Sequence, residues 1–156
     1  MKAAYYYDLR FDRIGIAQEG DAITHLRFGG EALPAGYELR ETPLLKRAAE
    51  QLSEYFAGKR RDFTLPLNPH GTAFQKRVWQ ALTEIPYGET RSYKDIAEQV
   101  GASKGFRAVG GANNKNPIGI VIPCHRVIGA NGALVGYAYG LSTKIRLLEL
   151  EKLHKA

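Results

Sequence analysis

Cys124 is the only cysteine in this 156-residue chain, and it lies between Pro123 and His125. A lone cysteine cannot close an internal disulfide, which leaves three uses: an inert buried thiol, a metal ligand or a nucleophile. His125 and Arg126 follow it directly, and positive charge beside a sulfur lowers the thiol pKa and favours the thiolate. Pro123 fixes its own backbone angle and removes an N–H donor. The apolar run from Ile118 to Ile122 leads in, so the pattern predicts a strand that ends at the rim of a pocket with the thiol at its tip. The histidines, His25, His70, His125 and His154, show no ligand spacing, and no metal is expected.

The elements that must position this thiol sit in an ordinary globular composition. A hydrophobic fraction of 44% with 24% charged residues argues against disorder. No apolar run reaches membrane-spanning length, and Met1 to Tyr5 lacks the apolar core of a signal peptide. An unpaired cysteine fits a reducing compartment, so a cytoplasmic location and no membrane association are expected. The net charge of +6 is uneven. Residues 1–70 hold ten Lys/Arg and ten Asp/Glu, whereas 71–156 hold twelve and six, and 12 − 6 supplies the whole excess. A basic half beside a neutral one suggests that one half meets a polyanion.

Residues 1–70 read as a small antiparallel meander with one covering helix. Ala3 to Leu9, Arg13 to Ala17 and Ala22 to Phe28 are strand-like, with a turn at Glu19-Gly20-Asp21. The tyrosine triplet, Tyr5 to Tyr7, suits a strand and core in a neutral neighbourhood better than a base-stacking platform. Thr42-Pro43 offers an N-cap and first-turn proline to a helix whose inward face is Leu44, Leu45, Ala48, Ala49, Leu52, Tyr55 and Phe56. A further strand is expected at Phe63 to Leu65. Pro66, Asn68, Pro69 and Gly71 read as a linker.

Residues 71–156 change to short helices. Thr72 caps one carrying Phe74, Val78, Ala81, Leu82 and Ile85. Ser92 caps another with Tyr93, Ile96, Ala97 and Val100, ended by Gly101, and Lys104 to about Asn114 forms a third. The last two make a candidate helix-turn-helix. A turn at Asn113 to Pro117 precedes the cysteine, and a glycine-rich loop spans Gly129 to Gly140. Ser142 caps a final helix with Ile145, Leu148 and Leu153 inward.

With these residues in place, the chain resembles the O6-alkylguanine-DNA alkyltransferases. The resemblance rests on PCHRV (Pro123 to Val127), FQKRVW (Phe74 to Trp79), IPYGET (Ile85 to Thr90), SYKDIA (Ser92 to Ala97) and RAVGGANNKNP (Arg107 to Pro117), in matching order and spacing. It is close over residues 71–156 and looser before them. It implies an α+β fold: a ribonuclease-H-like N-terminal domain, 1–70, and a mainly helical, winged-helix-like domain, 71–156. It also implies direct-reversal DNA repair. The alkyl group of O6-alkylguanine, and by extension O4-alkylthymine, passes irreversibly to Cys124 from a nucleotide flipped out of the duplex. A soft thiolate suits displacement at a saturated carbon, and the thioether product ends the protein's working life after one transfer.

The same resemblance assigns roles. His125 and Glu151 would activate the thiol through a water, Asn116 would brace the turn before it, and Tyr93 would help protonate the leaving guanine. Arg107 would enter the base stack from the minor groove, with Gly110, Lys104 and Tyr93 also at the DNA. Val127, Tyr137, Ala138 and Pro123 would line the guanine pocket. The partner would be double-stranded alkylated DNA, bound by a monomer with little sequence specificity and no cofactor. Three positions depart from relatives: Phe106 and Tyr139 are bulky where some have small residues, and Ala138 replaces a serine. Tyr139 is expected to narrow the pocket in favour of methyl groups. Three alternatives explain less: a non-catalytic lesion binder would lack Cys124, a cysteine hydrolase would need its histidine facing the thiol, and a transcription factor leaves PCHRV without a use.

Overall fold

The structure is a computed structural model that describes residues 1–102, 104–134 and 136–155. The chain divides into two compact units, Met1–His70 and Gly71–Ala156.

In the first unit, β1 (Lys2–Asp8), β2 (Arg13–Glu19) and β3 (Ala22–Phe28) form an antiparallel meander, and β4 (Glu38–Leu39) adds in parallel to β1, giving the order β3-β2-β1-β4. The central strand β2 is buried on both faces from Ile14 to Gln18. Gly15 is required there, since a Cβ would lie 2.9 Å from the Tyr6 ring. Helix α1 (Pro43–Phe56) begins where Thr42 accepts from the Leu45 amide at 3.1 Å. It lays Leu45, Ala48, Ala49, Leu52 and Tyr55 on the sheet. Each of its fully buried leucines contributes about 2 kcal/mol.

Two expectations fail in this unit. Phe63 to Leu65 is not a strand, because the Gln51 side chain takes up Thr64 instead: its amide donates to the Thr64 hydroxyl at 2.8 Å and its oxygen accepts from the Thr64 N–H at 3.0 Å. Only Leu67, two residues on, bridges to Ile23 of β3. The tyrosine triplet lies on β1 but at the surface rather than in the core, with Tyr5 37% exposed and Tyr6 and Tyr7 half-buried.

In the second unit, capping boxes start α2 (Ala73–Thr83), through Thr72 and Gln75, and α3 (Tyr93–Gln99), through Ser92 and Asp95. Gly101, at φ +76°, makes the left-handed turn between α3 and α4 (Phe106–Asn114). Lys104 falls in that turn, ahead of the helix. The buried Trp79 ties α2 to α4, its indole N–H donating to the Ala112 carbonyl at 2.9 Å. β5 (Arg91–Ser92) pairs in parallel with β6 (Val127–Ile128), and α5 (Leu141–Leu153) follows the glycine-rich loop.

Here too the structure corrects the pattern. Ile118 to Ile122 is a succession of turns rather than a strand. Ile120 sits at φ +69°, an unfavourable region for a β-branched residue, and the Ile122 N–H returns to the Ile118 carbonyl at 3.0 Å. Helix α5 is capped by Gly140, not by the Ser142 side chain. Its inward face is Lys144, Leu147 and Glu151, while Leu153 is 77% exposed. These three positions stand at i, i+3 and i+7, so the buried stripe exists but two of its members are charged. Among the described residues no helix is long and apolar enough to cross a membrane.

Candidate active site

Cys124 opens a single 3-10 turn, Cys124–Arg126, between the buried turns and β6. The turn replaces the expected strand end, and it changes the geometry. Side chains on a 3-10 helix fan out about 120° apart, so Cys124, His125 and Arg126 take separate directions, all buried. Pro123, itself buried, precedes the turn and accepts from the Arg126 N–H at 3.0 Å. Two asparagines hold the approach. Asn116 donates to the Ile122 carbonyl at 2.8 Å and accepts from the Ile118 N–H at 3.0 Å, which pins the segment carrying the left-handed Ile120. Asn113 of α4 donates to the Cys124 carbonyl at 3.3 Å.

His125 points away from solvent into a charged cluster. Its Nε2 lies 2.6 Å from Glu151 Oε2. Arg126 reaches the same carboxylate with Nε at 2.8 Å and Nη2 at 3.0 Å, while Nη1 donates to the Ile85 carbonyl at 2.7 Å. The Gly88 N–H adds a donor to Glu151 Oε1 at 3.1 Å. Burial pushes the Glu151 carboxyl up, but the His125 and Arg126 bonds and charges outweigh it and hold the group well below the usual carboxylate range. Burial lowers the His125 pKa against the opposing pull of Glu151, so the resting imidazole is neutral. Its Nδ1 is buried without a hydrogen-bond partner among the described residues.

The expectation that His125 and Arg126, the next two residues, lower the thiol pKa is not met. Burial dominates and raises it, so the resting Cys124 is a thiol. Arg126 does not serve the sulfur, because its guanidinium is committed to Glu151. The opposing influences come from the Asn116 side chain, the Lys144 ammonium and the Tyr137 hydroxyl. Lys144 was not legible as a site residue. It lies on the inward face of α5, fully buried, and donates to the Val127 carbonyl at 2.5 Å and the Gly136 carbonyl at 3.1 Å. Its spacing of seven from Glu151 is the one available signal, since it puts both on one helix face.

Around the thiol, Val127 and Tyr137 are buried, and Tyr137 packs edge-on against Tyr139 with ring centroids 5.9 Å apart. Ala138 is exposed. Tyr93, the first residue of α3, is half-buried; burial and then the charge of an ionised Cys124 raise its hydroxyl pKa, which keeps it a donor. Arg107 and Lys104 are exposed at the start of α4 and in the turn before it. Gly110 lies under Tyr93: a Cβ there would meet only the tyrosine ring, at 3.9 Å. No Asp or Glu occurs between Glu98 and Glu149, a stretch that holds six Lys/Arg.

Residues 3–69 match the family described as 6-O-methylguanine DNA methyltransferase, ribonuclease-like domain, and residues 73–153 match its DNA binding domain. The chain is 50% identical over 154 residues to a methylated-DNA–protein-cysteine methyltransferase of Methanosarcina barkeri, covering 94% of this chain and 97% of that one. It is 52% identical over 146 residues to the constitutive enzyme of Bacillus subtilis, covering 88% of each. Among solved structures, the O6-methylguanine methyltransferase of Mycobacterium tuberculosis superposes with a TM-score of 0.90 at 44% identity, over 99% of this chain and 94% of that one. Mycobacterium tuberculosis OGT in complex with DNA gives 0.91 at 45% identity, over 97% and 94%. Fold and matches together define a transferase class, the methyltransferases of DNA repair. The chain belongs to the methylated-DNA–protein-cysteine methyltransferase family, which moves an alkyl group from damaged DNA to a cysteine.

Proposed function

We propose that Cys124 is the alkyl acceptor, and that the residues of Gly71–Ala156 both bind the damaged duplex and receive the group. The observation that supports this reading is a buried thiol followed in the chain by a neutral His125 whose Nε2 is fixed by Glu151 and whose Nδ1 is left open for a proton. The thiol proton passes to His125 Nδ1, directly or across one water, and Glu151 stabilises the imidazolium that forms. The thiolate attacks the alkyl carbon, a C–S bond forms, the C–O6 bond breaks, and the electron pair leaves on guanine. Tyr93 donates a proton to the departing base, and the proton held on His125 restores the balance. The net change is thiol plus O6-alkylguanine giving thioether plus guanine. A thioether is stable to the groups that the described residues bring to the site, so each molecule acts once.

Access requires the nucleotide to leave the stack. Arg107 fills the gap from the minor groove, with Lys104 and Tyr93 beside it. Gly111 supports close approach of a DNA backbone. A Cβ there would meet nothing within 4 Å, so the protein's own packing gives no reason for a helix-interior glycine. Contacts of this kind carry little sequence specificity, and the protein acts as a monomer in the cytoplasm. Val127, Tyr137, Ala138 and Pro123 line the base pocket. Tyr139, against Tyr137, narrows it toward methyl groups, and equal rates on methyl- and benzylguanine would argue against that narrowing. The reading is tested with Cys124→Ala, which should still bind duplex carrying O6-methylguanine while leaving the lesion unrepaired; repair by this variant would remove Cys124 from the role.

A further inference from the structure

Helix α4 carries a residue that neither its packing nor the reaction accounts for. Phe106, its first residue, is 54% exposed although it is a large aromatic side chain. It lies on the stripe Phe106, Val109, Asn113, at i, i+3 and i+7, and the other two are buried. The inward face of the helix therefore runs to the edge of the protein and ends in a half-exposed ring. Arg107 begins a different stripe with Gly111 and Asn114, and all three are exposed. Adjacent helical side chains diverge by about 100°, so Phe106 and Arg107 cannot occupy the same gap in a base stack. They can occupy neighbouring steps. The surroundings suit a polyanion: Lys104, Arg107 and Lys115 are exposed, and the stretch from 99 to 148 holds no acid.

We propose that Phe106 is a second DNA-contact residue, an apolar wedge that packs against the base step beside the one Arg107 enters and so holds the duplex open around the extruded nucleotide. The proposal rests on the placement of Arg107 at the DNA. Apolar side chains inserted from the minor groove unstack base steps at a cost met by wider contact, and stacking of one base on an aromatic ring is a sizeable share of binding. A phenylalanine fits that use because it is uncharged and planar and offers no hydrogen bond that would read sequence.

The test uses full-length protein, a duplex with 2-aminopurine next to O6-methylguanine, and free O6-methylguanine base as a substrate that needs no flipping. Phe106→Ala should weaken duplex binding and lower the 2-aminopurine signal, with repair slowed about tenfold, while its rate on the free base stays unchanged. Phe106→Leu or Phe106→Trp should restore much of the loss. Unchanged duplex binding and repair in Phe106→Ala, with Arg107→Ala impaired, overturns the wedge and leaves the Arg107 reading intact. If Arg107→Ala is also unimpaired, the reading beneath it fails as well. Equal loss on duplex and free base overturns the wedge too, since it places Phe106 in folding or chemistry rather than in DNA contact.

Discussion

His125 Nε2 and Glu151 Oε2 stand 2.6 Å apart with both side chains fully buried, and Arg126 closes on the same carboxylate from the other side. One carboxylate thus fixes the imidazole of the residue that follows Cys124 and neutralises a guanidinium whose side chain is only 8% exposed. The arrangement couples the chemistry of the site to the stability of the unit that carries it.

Glu151→Gln keeps the shape and most hydrogen bonds but leaves Arg126 without its counter-charge. Removing one partner of a buried pair costs about 3–5 kcal/mol, and urea denaturation should read a loss of that order. A change under about 1 kcal/mol, the range of a surface pair, would show that Glu151 is not the counter-ion of a buried cation.

Acid should destabilise the protein through depressed groups in both units. Burial, aided by Arg27, lowers His25 from the ordinary 6.5 to about 4. A histidine with a folded pKa below its unfolded one takes up protons on unfolding, so its contribution is full above pH 6.5 and is lost as pH falls toward 4. The depressed Glu151 acts in the same direction at lower pH. Chemical denaturation at pH 7.5 and 5 should give a lower midpoint at pH 5, and His25→Gln should flatten that difference. A midpoint that rises on acidification would reverse the assignment.

Tyr93→Phe removes the donor to the leaving base while keeping the ring against Gly110. Single-turnover repair should slow by about a hundredfold with little change in melting temperature. A repair rate equal to the parent's would take Tyr93 out of the proton path.

Alkylation should itself loosen the fold. Cys124 is 3% exposed, and a methyl added to its sulfur must fit among packed side chains, where overpacking costs about 1–3 kcal/mol. Calorimetry of the methylated protein should give a melting temperature several degrees lower; an unchanged one would mean the pocket already holds room for the product.

Much of this was legible in the chain because the signals are local. Thr42, Thr72 and Ser92 announce their helices by cap chemistry, and the Cys124 segment carries its family in five residues. What was not legible depends on partners distant in sequence. Phe63 to Leu65 has the composition of a strand, but the hydrogen bonds of Thr64 go to Gln51 on a helix. Ile118 to Ile122 is apolar enough for a strand, yet Asn116 folds it into turns. Hydrophobic patterning assigned Ile145, Leu148 and Leu153 to the inward face of α5, because it gives no weight to Lys144 and Glu151, which are buried there by virtue of their partners. The same limit misdirected Arg126. Its charge is next to the cysteine in sequence and bound to Glu151 in space.

The central assignment, a thiol that accepts one alkyl group and keeps it, is read most directly by the intact mass of the protein after incubation with excess duplex containing O6-methylguanine. The expected result is a gain of one methyl group per molecule, mapped to the peptide containing Cys124, with repair stopping at one equivalent. An unchanged mass with continued repair, or methyl found on any other residue, would refute it.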